Sequence, residues 1–277
     1  MRPQLLSRLK RRVLGAPRRA APPRPSLPAQ PPRPYIPSDR DLALRTESDS
    51  GSLTHRPLAS SDLREVHPGV WAGAVFERDW CDRLLKEAMA YRAWSEQHAS
   101  TWAAPNSMHH RGIMLTDLGL EGLFDDWMRA RLQPLAEELF PDHLSGDLVE
   151  CHAYIVEYSR MTQSHLGFHV DDSQVTLNLC LGADFEGSEL YFEGPRCALH
   201  VDTPSRPEEI FEWTHQPGQA VLHAGKNRHG VRPIQSGRRW SLIAWFRDGS
   251  GRARWDQDWE ENRCPDWCGV SQLPGAE

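Results

Sequence analysis

What this 277-residue chain lacks narrows it before any motif is sought. No run approaches the roughly 18 apolar residues that a membrane-spanning helix needs, so no membrane partner is expected. There is no basic excess: 32 Lys and Arg stand against 38 Asp and Glu, for a formal charge of −6, which gives no reason to expect a nucleic-acid partner. The phosphate-binding P-loop, the G-x-G-x-x-G dinucleotide fingerprint and the G-x-S-x-G nucleophile elbow are all missing, and with them the usual signatures of nucleotide transfer, hydride transfer and serine hydrolysis. No internal repeat is present. Cysteine is sparse and scattered, as Cys81, Cys151, Cys180, Cys197, Cys264 and Cys268. With no secretory leader beside them, these six predict buried thiols in a reducing, intracellular and cytoplasmic setting.

Acid is missing altogether from residues 1–38, which carry nine Lys and Arg between Arg2 and Arg33 and become rich in Pro and Ala from about residue 16. Such a stretch has too little apolar surface to order itself. Two readings stay open for it: a mitochondrial or plastid transit peptide, or a disordered tail, the second being favoured because Ser is sparse. The expected organisation is a disordered segment at 1–60, a helical support region at 61–146, a β domain at 147–248 and a tail at 249–277.

What is there begins with eleven Trp, large side chains suited to the walls of a β structure. Trp71–Phe76 reads as a strand. Glu77–Trp94 reads as a helix that turns Trp80, Leu84, Ala88 and Tyr91 inward, and Leu120–Leu139 as a second, weakened by Gly122 and Pro134. After Gly146 short β-type runs follow one another: Cys151–Tyr158, Val175–Leu181, Glu189–Glu193, Ala198–Val201, Ile210–Trp213, Ala220–His223, Val231–Ile234 and Trp240–Phe246. Eight short strands predict a sandwich, barrel or jelly roll. In Thr176–Leu181 alternation puts Thr176, Asn178 and Cys180 on one face against three Leu on the other, and a face of small polar groups can line a cavity.

His169-Val170-Asp171 can turn an imidazole and a carboxylate to the same side of a strand. Alone this is a weak signal. His229 follows at a distance that lets three more strands intervene, and two His with one carboxylate make the facial triad that leaves iron open positions. Arg239 opens the apolar run that ends at Phe246. A buried strand that begins with Arg needs an anion, and a planar guanidinium grips a carboxylate through two hydrogen bonds. Arg238 should then point to solvent.

The segments His169-Val-Asp171-x4-Thr176-x-Asn178, Asp184-Phe-Glu-Gly-Ser-Glu-Leu190, Gly218-x3-Leu222-His223 and His229-x-Val-x-Pro-Ile-x2-Gly-x-Arg239 resemble the prolyl/lysyl hydroxylase branch of the 2-oxoglutarate dioxygenases. Pro105-Asn-Ser-Met108, Leu177-Asn178, Gly237-x-Arg-Trp240 and the Cys-containing tail resemble more closely the group called 2-oxoglutarate and iron-dependent oxygenase domain-containing protein, second type. The likeness is expected to run from about Pro105 to Cys268. It implies a mainly β fold with flanking helices around a double-stranded β-helix, or jelly-roll, core. It implies Fe(II) on His169, Asp171 and His229, with 2-oxoglutarate held by Arg239 and touched by Tyr158 and Asn178. Ascorbate, O2 and an unidentified peptide or small-molecule substrate complete what it implies. One departure stands out: where the family commonly has Gly-Gly, this chain has Gly187-Ser188, which matters if that position needs a positive φ.

Other residues carry weaker expectations. His165 faces substrate or, more readily, solvent. His223 is a hydrogen-bonded core histidine. Asn106 contacts substrate or caps a turn, and Asp172 caps a turn or orients a neighbour. Cys264 and Cys268 are half of a zinc site that would need His200 or His215 to join it, so a reduced surface pair is favoured. Two other classes remain as alternatives: a non-catalytic jelly-roll binding module, and a cupin-type metalloenzyme without 2-oxoglutarate.

Overall fold

The computed structural model describes residues 62–98, 105–109, 111–120, 125–182, 184–250, 256, 259–268 and 270. The chain divides after Arg33, and all of these residues fall in the second unit, Pro34–Glu277. The basic segment at 1–60 lies outside the described residues.

A short hairpin, β1 (Arg64–His67) and β2 (Val70–Gly73), leads into helix α1 (Arg78–His98). Trp80, Leu84 and Ala88, one turn apart, are buried, and Trp80 stacks on Phe76 with ring centroids 5.1 Å apart. Strand β3 (Ile113–Met114) follows. The second expected helix is broken: α2 (Asp125–Trp127) passes through a π-helical stretch, Met128–Leu132, into α3 (Gln133–Leu139). Pro134 offers no N–H and its ring crowds the preceding turn, so widening the helix ahead of it relieves a conflict that a regular α-helix would carry. Leu120 is buried but not helical, and Leu123 and Phe124 lie outside the described residues.

The remaining strands are β4 (Glu150–Ser159), β5 (Leu166–His169), β6 (Val175–Gly182), β7 (Phe185–Gly187), β8 (Leu190–Pro195), β9 (Ile210–Trp213), β10 (Ala220–Ala224), β11 (Asn227–Val231) and β12 (Ile234–Arg247). They form two antiparallel sheets. The major sheet has the order β1-β2-β10-β6-β12-β4-β3, with β7 added to β12; the minor sheet is β5-β11-β8-β9. From β4 onward the chain passes back and forth between the sheets, as a double-stranded β-helix requires. Leu177, Leu179 and Leu181 of β6 pack with Leu84, Leu222 and Leu242 on the helix side. On the other side Tyr154, Val156, Phe192, Val221, Val231 and Ile243 fill the space between the sheets.

Three expected strands change. The first moves from Trp71–Phe76 to β2. Ala198–Val201 is a 3-10 turn, Ala198–His200, rather than a strand. Val231–Ile234 is split between β11 and β12, because Pro233 cannot donate to a ladder. Strands β1, β3 and β7 were not expected, and β5 only as the strand end assumed at His169; each has two to four residues, too few for alternation to show. Among the described residues no helix is long and apolar enough to cross a membrane.

Gly237 fixes where β12 meets β7. Its φ is +74°, and a Cβ there would run into the backbone oxygen of Asp184, which already accepts the Arg238 N–H at 2.9 Å. Gly237→Ala should therefore lower stability by about 2 kcal/mol or more. An unchanged midpoint in urea unfolding would refute this close approach.

Candidate metal centre

Strands β5 and β11 lie side by side in the minor sheet, with His169 directly opposite His229. Five strands, β6 to β10, separate the two in the chain, more than the three allowed for from spacing. Their ring centroids are 4.3 Å apart. Each ring is fixed from behind: His169 Nδ1 lies 2.8 Å from the Gly167 carbonyl and His229 Nδ1 2.8 Å from that of Asn227. With Nδ1 donating, each Nε2 keeps its lone pair, the arrangement that orients a metal-binding imidazole.

Asp171 sits just past the end of β5, so the pairing of His and Asp on one strand face does not hold literally. Its place is set by its own N–H, which donates to the Gly225 carbonyl at 2.9 Å, and by Thr176 Oγ1, which donates to Oδ2 at 2.7 Å. The carboxylate still reaches both rings: Oδ1 is 3.4 Å from His169 Nε2 and Oδ2 is 3.5 Å from His229 Nε2. The three ligand atoms all lie within 4.8 Å of one another.

Electrostatics prepare this donor set. Burial would raise the Asp171 pKa, but the neighbouring histidines, His229 foremost, hold it well below the usual carboxylate range. Burial pulls His229 down to about 3, against the pull of Asp171, so its ring is neutral. Burial also lowers His169, but its hydrogen bond to Asp171 and that group's charge leave it raised overall. A carboxylate and two imidazoles with inward lone pairs fit a divalent cation such as Fe(II) and leave other coordination positions open.

Above this triplet lies a second polar group. Arg239 of β12 is fully buried, opposite Tyr158 of β4, with the guanidinium 5.4 Å from the Tyr158 ring. Nη1 donates to the Ser188 carbonyl and lies 3.3 Å from the Ser188 hydroxyl; Nε donates to Ser241 Oγ at 3.1 Å. Nη2 reaches only Asn178 Oδ1 at 3.5 Å and His215 Nδ1 at 3.3 Å. These hydrogen-bond partners of Arg239 are neutral; Cys180 beside it and the carboxylate of Glu189 also act on its charge. Two other buried arginines show the two ways such a charge is held, by an ion pair or by a full set of neutral acceptors. Arg196 is paired with Glu209 at 2.6 Å, and Arg228 is surrounded by four backbone carbonyls and the Ser205 hydroxyl. Arg238 points outward, its side chain 64% exposed.

Strand β6 joins the two groups. Thr176, two residues before Asn178, contacts Asp171, while Asn178 contacts Arg239, so one polar strand face runs from the carboxylate to the guanidinium over about 7 Å. Tyr158 is held by His109, whose Nε2 is 3.2 Å from its hydroxyl. Asn106 Oδ1 accepts the N–H groups of Met108 and His109 at 2.9 Å, capping that turn.

Three members of the arginine pocket, His215, Ser188 and Ser241, were missed in the sequence. His215 was considered only for zinc; here its Nε2 donates to the Gln219 carbonyl at 2.7 Å, leaving Nδ1 to accept from Arg239. Burial and the Arg239 charge hold it neutral, its pKa well below the usual value. Ser188 has φ +63°, so the position that departs from Gly-Gly does adopt the left-handed conformation, and that turn aims its carbonyl at Arg239. The departure from the family pattern was the visible signal; for His215 there was none beyond its being a histidine.

Of the other candidates, His223 is buried with Nδ1 2.9 Å from the Ala224 carbonyl and its ring edge on His229, 4.5 Å between centroids, a core histidine. Asp172 turns to Arg247 at 3.4 Å. His165 is exposed, on the rim of a cleft of ≈ 370 Å3 that Arg92, Met108, Arg111, Glu157 and Gln163 also line. His200, Cys264 and Cys268 gather elsewhere, with Cys197.

Residues 52–145 match the model of the OGFOD2-like domain, so the likeness begins well upstream of the Pro105 expected. The 2-oxoglutarate and iron-dependent oxygenase domain-containing protein ICU11 of Arabidopsis thaliana is 38% identical over 224 residues, covering 80% of this chain and 55% of that protein. The 2-oxoglutarate and iron-dependent oxygenase domain-containing protein 2 of Homo sapiens is 37% identical over 213 residues, covering 76% of this chain and 57% of that protein. The chain thus spans a little over half the length of these relatives. A solved Pseudomonas putida prolyl-4-hydroxylase aligns with 66% of this chain and 93% of its own at 18% identity and a TM-score of 0.45.

Removing a ligand should abolish metal binding. His169→Ala and His229→Ala are expected to weaken Fe(II) affinity at least about 100-fold, read by anaerobic titration, while His223→Gln stays within a few-fold of wild type. In the free protein the raised pKa of His169 makes its proton compete with the metal, so affinity should fall as pH drops below neutral. A pH-independent affinity would show that His169 is not a ligand.

Proposed function

We propose, from the premise that this chain belongs to the family of 2-oxoglutarate and iron-dependent oxygenase domain-containing proteins, that it is an Fe(II)- and 2-oxoglutarate-dependent dioxygenase. It would hydroxylate a peptidyl or amino-acid side chain of prolyl or lysyl type: one O2 is consumed, one oxygen enters the substrate C–H bond, and the other enters succinate as 2-oxoglutarate loses CO2.

The observation that carries this reading is Arg239. A fully buried guanidinium whose hydrogen bonds go to neutral groups, with Nη2 making only long contacts to Asn178 and His215, would be stabilised by an anion that offsets its desolvation. It stands one strand face away from a two-histidine, one-carboxylate triplet. A dicarboxylate with a keto group at one end supplies both missing pieces: an anion for the arginine and a chelating end for the metal. Arg239 would grip the far carboxylate, Asn178, Tyr158 and Ser188 would position it, and neutral His215 would support the guanidinium without competing for its charge. His169, Asp171 and His229 would hold Fe(II), which when bound supplies O2 activation coupled to oxidative decarboxylation. Because Asp171 occupies one of the three protein positions, hydroxylation is favoured over halide transfer.

The protein's own contribution is orientation and dryness. Tyr158, Asn178 and Arg239 are all buried, so the far end of the co-substrate sits away from bulk water. The cleft beside β5 carries charge of both signs, from Arg92, Arg111 and Glu157, and is open at His165, which suits a side chain presented from a peptide. In this reading residues 147–248 form the catalytic β-helix, 61–146 support it and 249–277 form a tail. Six cysteines without a disulfide among them suit a reducing, cytoplasmic compartment, and ascorbate would serve as accessory reductant. A non-catalytic jelly-roll module and a cupin-type enzyme without 2-oxoglutarate each leave Arg239 without a purpose.

Anaerobic addition of 2-oxoglutarate to the Fe(II) protein should produce the weak visible charge-transfer band of the chelate. Arg239→Ala should retain iron but raise the 2-oxoglutarate concentration for half-maximal band at least about 30-fold, given the 2–5 kcal/mol of a buried charge-assisted pair. Iron bound without any band in the wild type would sink the co-substrate assignment.

A further inference from the structure

The tail and the excursion between β8 and β9 together hold a second group of metal-ligand side chains that the dioxygenase reading does not use. Cys197, His200, Cys264 and Cys268 each offer one ligand atom, and all four atoms lie within 4.8 Å of one another. A zinc tetrahedron with Zn–S of about 2.3 Å and Zn–N of about 2.05 Å has edges of about 3.8 Å between sulfurs and about 3.6 Å between sulfur and nitrogen. The chain shows 3.9 Å between Cys197 Sγ and Cys264 Sγ, 3.3 Å between Cys197 Sγ and His200 Nδ1, and 3.6 Å between Cys268 Sγ and the same nitrogen. These three of the six edges fall within about 0.3 Å of the tetrahedral values, and the other three are each within 4.8 Å.

We propose that Cys197, His200, Cys264 and Cys268 form a closed, structural Zn(II) site that fastens the C-terminal tail to the β-helix. Three further observations support it. The ligands come in two close pairs, Cys197-x2-His200 and Cys264-x3-Cys268, each within the range of spacings from which zinc sites are built. Each pair straddles a 3-10 turn, Ala198–His200 and Asp266–Cys268, which folds its second ligand back toward its first. The Cys197 N–H points at Cys268 Sγ at 3.4 Å, the backbone-to-sulfur contact that helps a thiolate carry its charge. Cys197 and Cys268 are buried, and Leu199, Trp267 and Val270 pack around them as a small apolar cluster, so the site is sheltered but too small to persist by apolar burial alone. Four protein ligands leave no open coordination position, which sets it apart in kind from the triplet at His169, Asp171 and His229.

The position of the site gives it a purpose. Cys197 and His200 begin the long excursion between β8 and β9, and Cys264 and Cys268 lie in the tail, more than sixty residues later. Zinc would clamp that excursion and the tail together beside the minor sheet, in which β8 pairs with the strand that carries His229.

The test is zinc content in the full chain, purified without chelators or metal-affinity resin, in a His169→Ala background that disables the iron centre. About one zinc per chain is expected, falling at least about tenfold in Cys264→Ser and in Cys268→Ser. Should those variants fail to fold, Co(II) loaded into the His169→Ala protein reports directly: a thiolate-to-cobalt charge-transfer band with intense tetrahedral d–d bands is expected. The proposal is overturned by a chain with no zinc and no tetrahedral cobalt spectrum, by zinc retained in both serine variants, or by an intact mass two hydrogens low, which would mean a disulfide instead. The Fe(II)/2-oxoglutarate band of the unmutated chain is measured separately, so failure of the zinc site and failure of the dioxygenase reading are distinguishable.

Discussion

The charge of Arg239 is the constraint on which the rest of the site depends. A guanidinium taken wholly out of water needs acceptors for its donors, and an anion offsets its desolvation further. This fold provides the acceptors from four strands or turns at once: Ser241 from its own strand, Asn178 from β6, His215 from the turn before β10 and Ser188 from the turn after β7. Each provision has a local cost. Ser188 is held at φ +63°, a conformation that a non-glycine residue adopts at a penalty of about 1 kcal/mol or more. His215 is held neutral in one tautomer by the Gln219 carbonyl. Such costs are found where the surrounding structure is arranged for a ligand, and here they converge on one positive charge.

The same strand pairings explain how the metal triplet is assembled from residues sixty apart. The β5–β11 pairing sets the two imidazoles opposite each other, while Asp171 is brought in from the major-sheet side by Thr176. The two histidines thus come from the minor sheet and Asp171 from the loop that leaves β5, held by Thr176 of the major sheet, and a metal held by all three would lie between the sheets. Phe192 stacks against His229 at 5.9 Å between centroids and His223 abuts it edge-on, so the ring is fixed on two faces as well as at Nδ1. Rigidity of this kind lets a weak-field, exchangeable ion be held in one geometry while its remaining positions stay free for co-substrate.

How much of this could be read from the sequence depended on the range of the signal. The alternation in β6 is local and strong, and it correctly separated Thr176, Asn178 and Cys180 from the three leucines. Arg239 at the head of an apolar run was legible because a charge in a buried strand is a contradiction that asks for a partner. Asp171 was found for a reason only partly right: it lies beyond the strand, and backbone and hydroxyl contacts, not pleat geometry, turn it toward the histidines. Strand β7, and β5 beyond its end at His169, were invisible because three and four residues cannot display a period. His215 entered the arginine pocket through a tertiary contact across 24 residues, which no local pattern encodes. The apolar look of Ala198-Leu-His-Val201 suggested a strand, yet the segment is the 3-10 turn that carries His200; four residues of β-propensity do not outweigh tertiary context.

That last misreading shows why one chain can keep two metal sites apart. Selectivity among divalent ions follows ligand softness and geometry rather than raw affinity. Three sulfurs and one imidazole in a closed tetrahedron suit Zn(II) and offer O2 chemistry no vacant position; two imidazoles and a carboxylate suit Fe(II) and leave that vacancy. Were a thiol to replace Asp171, or the Cys197 cluster to lose a sulfur, the distinction would blur and zinc would compete for the open site. The two sets also lie at opposite ends of one mechanical path. Cys197 lies two residues after Pro195, the last residue of β8, which pairs with Asn227, and the Asn227 carbonyl is the group that orients His229. A tail clamped at Cys197 would thus restrain the register of β8 against β11, and through Asn227 the orientation of the His229 ring.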